Sequence, residues 1–396
     1  MEFRVTSDSV SDWLRYIKNT GEPLNWLAPH EDNLLVVLRK GLNRERQFRK
    51  SFELLTLIFP YFALSLSHTE QWSPLLRDAL LMAMDIKDND LQVKVFRWMG
   101  EDYLKVGKHQ SAREVFSRAL ERAEAGDIDD MKVAVYIGLF KLQWFNLKEN
   151  VTQTLVRQAL EIASKIEDRS SEADLFDALA SAYARLSDTE AALGFGQTAF
   201  AYWTTKKNHS GIGRTAYTMA AISMHIGQLR DDKRFLNQAM SYVEVANDEL
   251  AHTDDLWQYA LLAYEQAMIY YQLEKFEEAA SWFQQSLSEA EGMNSPHYVV
   301  VAQHGLGLAQ TKLKDFASAR RYLHLALDYW EDVKNSYEKA SVLAGLADLE
   351  VRAKCKEQAQ AYIDEGLQHI EDIPDLKMRQ FLTAQFQDII SQVDQE

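Results

Sequence analysis

The chain has 396 residues, of which 47% are hydrophobic, and only six prolines and sixteen glycines. That is room for two or three ordinary domains or one long repeat array, and such sparse turn chemistry points to helix rather than sheet. The formal charge of −16 weighs against a general nucleic-acid binder, and a lone cysteine, Cys355, excludes an intramolecular disulfide and a thiolate metal cluster.

In chain order, MEFRVTSDSV lacks the apolar run of a signal peptide, so a cytoplasmic protein is expected. SDSVSDWLRYIKN (Ser7–Asn19) reads as a helix capped by Ser or Asp, with Trp13, Leu14 and Ile17 on one face. TGEPLNWLAPHEDN reads as a loop, and NLLVVLRKGL (Asn33–Leu42) as a second short helix. Residues 1–50 hold nine Lys/Arg and seven Asp/Glu, a net of +2, which leaves −18 on the other 346. Within them LRKGLNRERQFRK (Leu38–Lys50) gathers Arg39, Lys40, Arg44, Arg46, Arg49 and Lys50 around one acid. This patch either docks an acidic partner, or nucleic acid held mainly by that partner, or is a solvated face pairing with acidic neighbours, the plainer reading. The longest apolar stretch, FELLTLIFPYFALSLS (Phe52–Ser67), is too short for a membrane span and contains Glu53 and Pro60, so a kinked buried helix is expected.

From there a ruler can be laid along the chain. KFEEAASWFQQSL (Lys275–Leu287) spaces Ala279, Phe283 and Ser286, with Tyr270 nine residues before Ala279. Forty residues on come Gly307, Ala319, Leu323 and Ala326, and forty further Ala347, Ala359, Ile363 and Gly366. Upstream, Gly100, Tyr103, Ala112, Phe116 and Ala119 form the cleanest copy, and Ala180, Tyr183, Ala192 and Ala199 another. Two degenerate copies carry Phe140, Thr152, Val156 and Ala159, and Pro60, Trp72, Leu76 and Ala79. Unit starts fall at 53, 93, 133 and 173, then 260, 300 and 340; the 87-residue gap holds one unit starting near Arg214 plus about seven extra residues. AYWTTKKNHSGIGR (Ala201–Arg214) is the expected place of the insertion and the best hinge candidate. Each unit reads as two antiparallel helices, small residues marking close approach and large ones the knobs, and the units must stack to bury their apolar faces.

Little in the sequence speaks for chemistry. The ten histidines form no H-x-x-x-H or H-E-x-x-H arrangement, and His297 and His304 share a helix face without a carboxylate at ligand spacing. GIGRTA (Gly211–Ala216) and GLG (Gly305–Gly307) lack the rest of a dinucleotide fingerprint, and no Walker lysine loop or G-x-S-x-G elbow is present. GDIDD (Gly126–Asp130) is acidic enough for a cation, but a solvated loop between repeats is the simpler reading. No enzymatic activity, cofactor, metal or membrane partner is expected.

The repeating pattern, best seen in MGEDYLKVGKHQSAREVFSRAL (Met99–Leu120) and AMIYYQLEKFEEAASWFQQSL (Ala267–Leu287), resembles the tetratricopeptide repeat family over roughly residues 50–370. The period is forty rather than thirty-four and the closing proline is mostly missing, as in long-period versions in bacterial regulators, peptide-pheromone receptors and sensor arms of signalling ATPases. The resemblance implies an all-α, right-handed superhelical α-solenoid of about eight helix pairs: an N-terminal helical cap over 1–50, repeats over 51–370 and a C-terminal capping helix over 371–396. It also implies that positions 2, 5, 9, 12 and 13 of each first helix line a concave groove. Lys94, Arg97, Lys105 and Lys141 would then form a basic mouth, Trp144 and Phe145 would follow, and His225, Tyr264, Met268, Tyr271 and His304 would make an aromatic, methionine-bearing stretch. Whether the aromatic positions are groove or inter-repeat core is left open by the residues. Position 9 carries no asparagine in any unit, which weakens the acidic-tail clamp and the asparagine grip used elsewhere in the family. The expected function is a non-catalytic protein- or peptide-binding scaffold or adaptor. The alternatives are a peptide-sensing regulator that changes superhelical shape, or a sensor arm of a signalling ATPase; homo-oligomerisation is left open.

Overall fold

A computed structural model of the chain describes residues 9–20, 30–43, 47–65, 69–105, 108–142, 149–166, 169–185, 188–253, 256–292, 295–333, 335–373 and 376–393. Among these the regular structure is helical. Helices α1 (Val10–Thr20) and α2 (Glu31–Leu42) come first. Antiparallel pairs follow: α3 (Phe48–Ser65) with α4 (Thr69–Asp85), α5 (Asn89–Lys105) with α6 (His109–Gly126), α7 (Asp129–Lys141) with α8 (Glu149–Ala163), and α9 (Arg169–Arg185) with α10 (Thr189–Lys206). Next come α11 (His209–Arg230) with α12 (Lys233–Leu250), α13 (Leu256–Gln272) with α14 (Phe276–Gly292), α15 (Pro296–Lys312) with α16 (Phe316–Val333), and α17 (Ser336–Arg352) with α18 (Lys356–Glu371). The last helix is α19 (Leu376–Val393).

First helices begin at 89, 129, 169 and 209, then at 256, 296 and 336, so the forty-residue period is real and is broken once. The break is not at 201–214. α10 ends and α11 starts in step with the lattice; α11 then runs for 22 residues where α13 has 17, and the α12–α13 connection takes the rest. Gly211, in that stretch, and Gly227, farther along α11, serve close helix approach. A Cβ on Gly211 would lie 2.4 Å from the Trp203 ring, and one on Gly227 would lie 2.8 Å from Leu236.

The helices form two compact units, Met1–Thr218 with Asp248–Trp257, and Met219–Asn247 with Gln258–Glu396. In the first unit α1 and α2 pack on α3 and α4 around Trp13, Leu34, Leu38 and Leu55, and Trp98 stacks on Phe52 and Phe59 at ring distances of 5.6 and 4.8 Å. A further core gathers Phe116, Tyr136, Phe140 and Leu179. In the second unit Phe283 and Leu306 centre one core, and Leu323, Leu343, Ile363 and Phe386 another.

The lattice works by matching sizes. A Cβ added to Gly138 would sit 2.4 Å from Phe116, one on Gly305 2.3 Å from Phe283, and one on Gly345 3.3 Å from Leu323. In each case the knob on a second helix fills a hole 22 positions later on the next first helix. That hole is Gly, Ala or Thr at 138, 178, 218, 305 and 345, but Glu at 265, where the facing knob position is only Val243.

Among the described residues, seven turns between helices place a residue other than glycine in the left-handed region. Lys87, Asp127, Lys207, Asp231, Glu274, Lys314 and Lys354 all have φ between 48° and 65°. Their amides close a Schellman motif: Glu274 N–H reaches Tyr271 O at 3.0 Å and Lys275 N–H reaches Tyr270 O at 2.9 Å. Side chains then cap the next helix. Asp315 Oδ1 accepts from Ser318 N–H at 3.2 Å and Asn335 Oδ1 from Glu338 N–H at 3.2 Å.

Candidate binding face

In the second unit the first helices α13, α15 and α17 carry the expected aromatic stretch. Tyr264, Met268 and Tyr271 are half-buried: they pack against the Phe283 core while keeping part of their surface in solvent. The Tyr264 ring lies 5.6 Å from that of Phe283. Loss of water around both phenols pushes their pKa up; for Tyr264 the negative charge of Glu338 and Glu265 adds to this, and for Tyr271 that of Asp348. A Cβ on Gly345 would lie 2.9 Å from Leu308 and 3.7 Å from His304, which puts α17 beside α15. His304 is half-buried, and desolvation lowers its imidazole to about 4, so it is neutral at physiological pH. His225 is likewise half-buried and its pKa is lowered by burial. Ile222, by contrast, is core at 1% exposure.

Charges on this face are shifted by burial or held in ion pairs. Burial raises Glu265 to about 8 and Glu338 to about 7, so the Glu265 carboxyl holds its proton at neutral pH. Asp348 is gripped from two sides, by Lys312 Nζ at 2.8 Å and by Arg352 Nε at 2.9 Å. Buried Glu350 takes a bidentate pair from Arg320 at 2.8 and 2.9 Å. Pattern reading passed over Glu265 and Glu338; the signal for Glu265 was an acid in a column of small residues. The face thus presents aromatic and thioether surface beside phenol and imidazole groups, with ion pairs at Asp348 and Glu350.

In the first unit the expected basic mouth is only partly free. Arg97 Nη1 pairs with Glu101 at 2.9 Å on its own helix. Lys94 is half-exposed and Lys141 exposed. Trp144 and Phe145, the side chain of Lys105, and Arg44 and Arg46 lie outside the described residues. Beyond the mouth, Arg214 bridges Asp174 and Asp177, the latter at 3.7 Å. Asp177 is buried at 6% exposure; desolvation raises its pKa, and Arg214 and the Thr218 hydroxyl oppose that. Of the basic patch, Arg39 and Lys40 close the last turn of α2, where cations suit the helix dipole. Arg49 and Lys50 are exposed on α3, and Lys50 Nζ donates to Ser11 Oγ at 3.2 Å. One cleft of about 290 Å³ is shared by Arg49 and Lys94, bringing a member of each basic group together. In the acidic GDIDD stretch, Asp127 and Asp129 both hold Lys132 Nζ of α7, at 3.2 and 2.7 Å. Among the described residues no three metal-ligating side chains converge and no helix is long and apolar enough to cross a membrane.

No family model and no curated protein sequence matches the chain. Solved structures do. A Rap protein complexed with competence and sporulation factor superposes with a TM-score of 0.55 at 12% identity, covering 87% of this chain and 99% of that one. Aspartyl phosphate phosphatase F from Bacillus subtilis gives 0.51 at 16% identity, covering 91% and 92%. A signal transduction ATPase with numerous domains from Pyrococcus horikoshii, bearing a tetratricopeptide repeat sensor, gives 0.56 at 14% identity over 97% of this chain, which spans 60% of that protein. The likeness is one of fold. The chain has the tetratricopeptide-repeat fold, in a forty-residue form.

Proposed function

We propose that the chain is a peptide-sensing regulator whose ligand lies along the first-helix face of the second unit. The observation that carries this reading is the half-exposed row Tyr264, Met268, Tyr271 and His304, with His304 held neutral by burial. Large aromatic and thioether side chains offer contact area at low entropic cost, and uncharged donors and acceptors can read a peptide backbone. Two similar structures support it by their own descriptions: a Rap protein seen in complex with competence and sporulation factor, and an ATPase whose repeat domain is called a sensor. This favours the sensor over the fixed scaffold or adaptor, the first expectation from sequence. The role is binding without catalysis, and the ligand is a short segment of protein.

Selection of a displayed random-peptide library against the full chain tests the reading. Enrichment of one sequence family, lost with Tyr271→Ala and Met268→Glu, supports it. Small-angle scattering that changes on adding the enriched peptide separates sensor from scaffold. No enrichment, or enrichment indifferent to both substitutions, removes it.

A further inference from the structure

We propose that the cleft between α3 and α5 docks an acidic segment of a partner protein, with a carboxylate held by Arg49 and Lys94 and an aliphatic side chain laid on the floor beneath. The cleft, of about 290 Å³, takes Arg49, Phe52, Glu53 and Thr56 from successive turns of α3, and Leu91 and Lys94 from α5. Its floor is apolar and fixed. Phe52 is 3% exposed and stacks on Trp98, and Leu57 and Leu91 pack against the same core.

The charges decide the occupant. Glu53 is engaged by Lys18, so its charge is compensated. Among the described residues Arg49 and Lys94 have no carboxylate partner, although the chain as a whole carries −16. The Thr56 hydroxyl donates to Phe52 O at 2.9 Å, which leaves the two cations as the strong donors. A guanidinium and an ammonium beside apolar walls match a carboxylate on an aliphatic stem next to a second aliphatic chain. The volume is at the small end for a ligand pocket and enough for a pair of side chains. Nucleic acid would need a row of cations rather than two on an acidic chain.

The site uses different residues from the peptide-sensing face, so it stands or falls separately. Fluorescence anisotropy of the full chain with a fluorescein-labelled Gly-Glu-Leu-Glu-Leu-Gly peptide tests it, with Gln-for-Glu and Ser-for-Leu peptides and inorganic phosphate as comparisons. Both altered peptides should bind more weakly. Arg49→Glu and Lys94→Glu should each weaken the parent peptide about tenfold or more, the loss expected for a charge-assisted contact turned repulsive. Lys233→Glu, at an exposed position in the other unit, should change nothing. Matching melting curves for Arg49→Ala and Lys94→Ala, with the same direction of loss, separate binding from folding. The proposal is overturned if the parent peptide does not bind, if the Gln peptide binds equally well, or if the charge reversals are silent. It is also overturned if phosphate alone binds with the same dependence on both cations, which would make this a free-anion site.

Discussion

Glu265→Gln is the substitution whose consequence the structure fixes most closely. The Glu265 side chain is 5% exposed, and burial raises its carboxyl from 4.5 to about 8. The folded state therefore keeps a proton that the unfolded chain releases above about 4.5, so stability falls as pH climbs from there to about 8 and is level beyond. At roughly 1.4 kcal/mol per pH unit, the loss between pH 6 and pH 8.5 is on the order of 3 kcal/mol, or roughly 6–12 °C in Tm for a unit of this size. Glutamine cannot ionise and escapes this loss. Thermal unfolding of the full chain and of Glu265→Gln at both pH values measures it, because every other titrating group is common to the two proteins. The variant should gain on the parent by several degrees at pH 8.5 relative to pH 6. An offset equal at the two pH values would show that Glu265 ionises in water-like surroundings, and the reasoning would fail.

Other consequences follow from the same packing. Gly305→Ala puts a methyl 2.3 Å from the fully buried Phe283 ring and should cost about 1–3 kcal/mol in urea unfolding, with partial recovery in the Phe283→Leu double variant. Arg320→Ala strips the partner from Glu350, which is 1% exposed, and should cost about 3–5 kcal/mol by the same assay. Lys354→Gly, at φ 61° in a Schellman turn, should stabilise by about 1 kcal/mol, read as a raised denaturation midpoint; a loss would mean the lysine side chain matters there. On the acid side, His297 and His304 are both lowered to about 4, so they contribute stability that is lost as pH falls from about 6.5 through 4. His304→Gln should flatten the acid limb of the stability curve, and an unchanged limb would count against a desolvated imidazole.

The repeat was legible because close helix approach needs small residues at fixed spacing, and Ala279, Ala319 and Ala359 record that need in the sequence. The inserted residues were misplaced for a related reason. A glycine in a turn and a glycine under a tryptophan look alike in sequence, and Gly211 is the second kind. Turn chemistry gave no correction, because these turns put Lys, Asp and Glu in the left-handed region where glycine is customary. That Tyr264, Met268, Tyr271 and His304 sit on first helices was legible; their chemistry was not. Nothing near Glu265 in the sequence announces that it is buried; only its alignment with Gly305 and Gly345 in the lattice does so. Likewise Arg49 and Lys94 are 45 residues apart and belong together only because α3 and α5 are neighbouring first helices.

The central claim is that ligand binds along the first-helix face of the second unit. Hydrogen–deuterium exchange of the full chain, with and without a library-selected peptide, tests it most directly. The account predicts slowed exchange in α13, α15 and α17, with α14, α16 and α18 unchanged and the effect abolished by Tyr271→Ala. Protection concentrated on the second helices, or equal protection in the Tyr271→Ala protein, would contradict it.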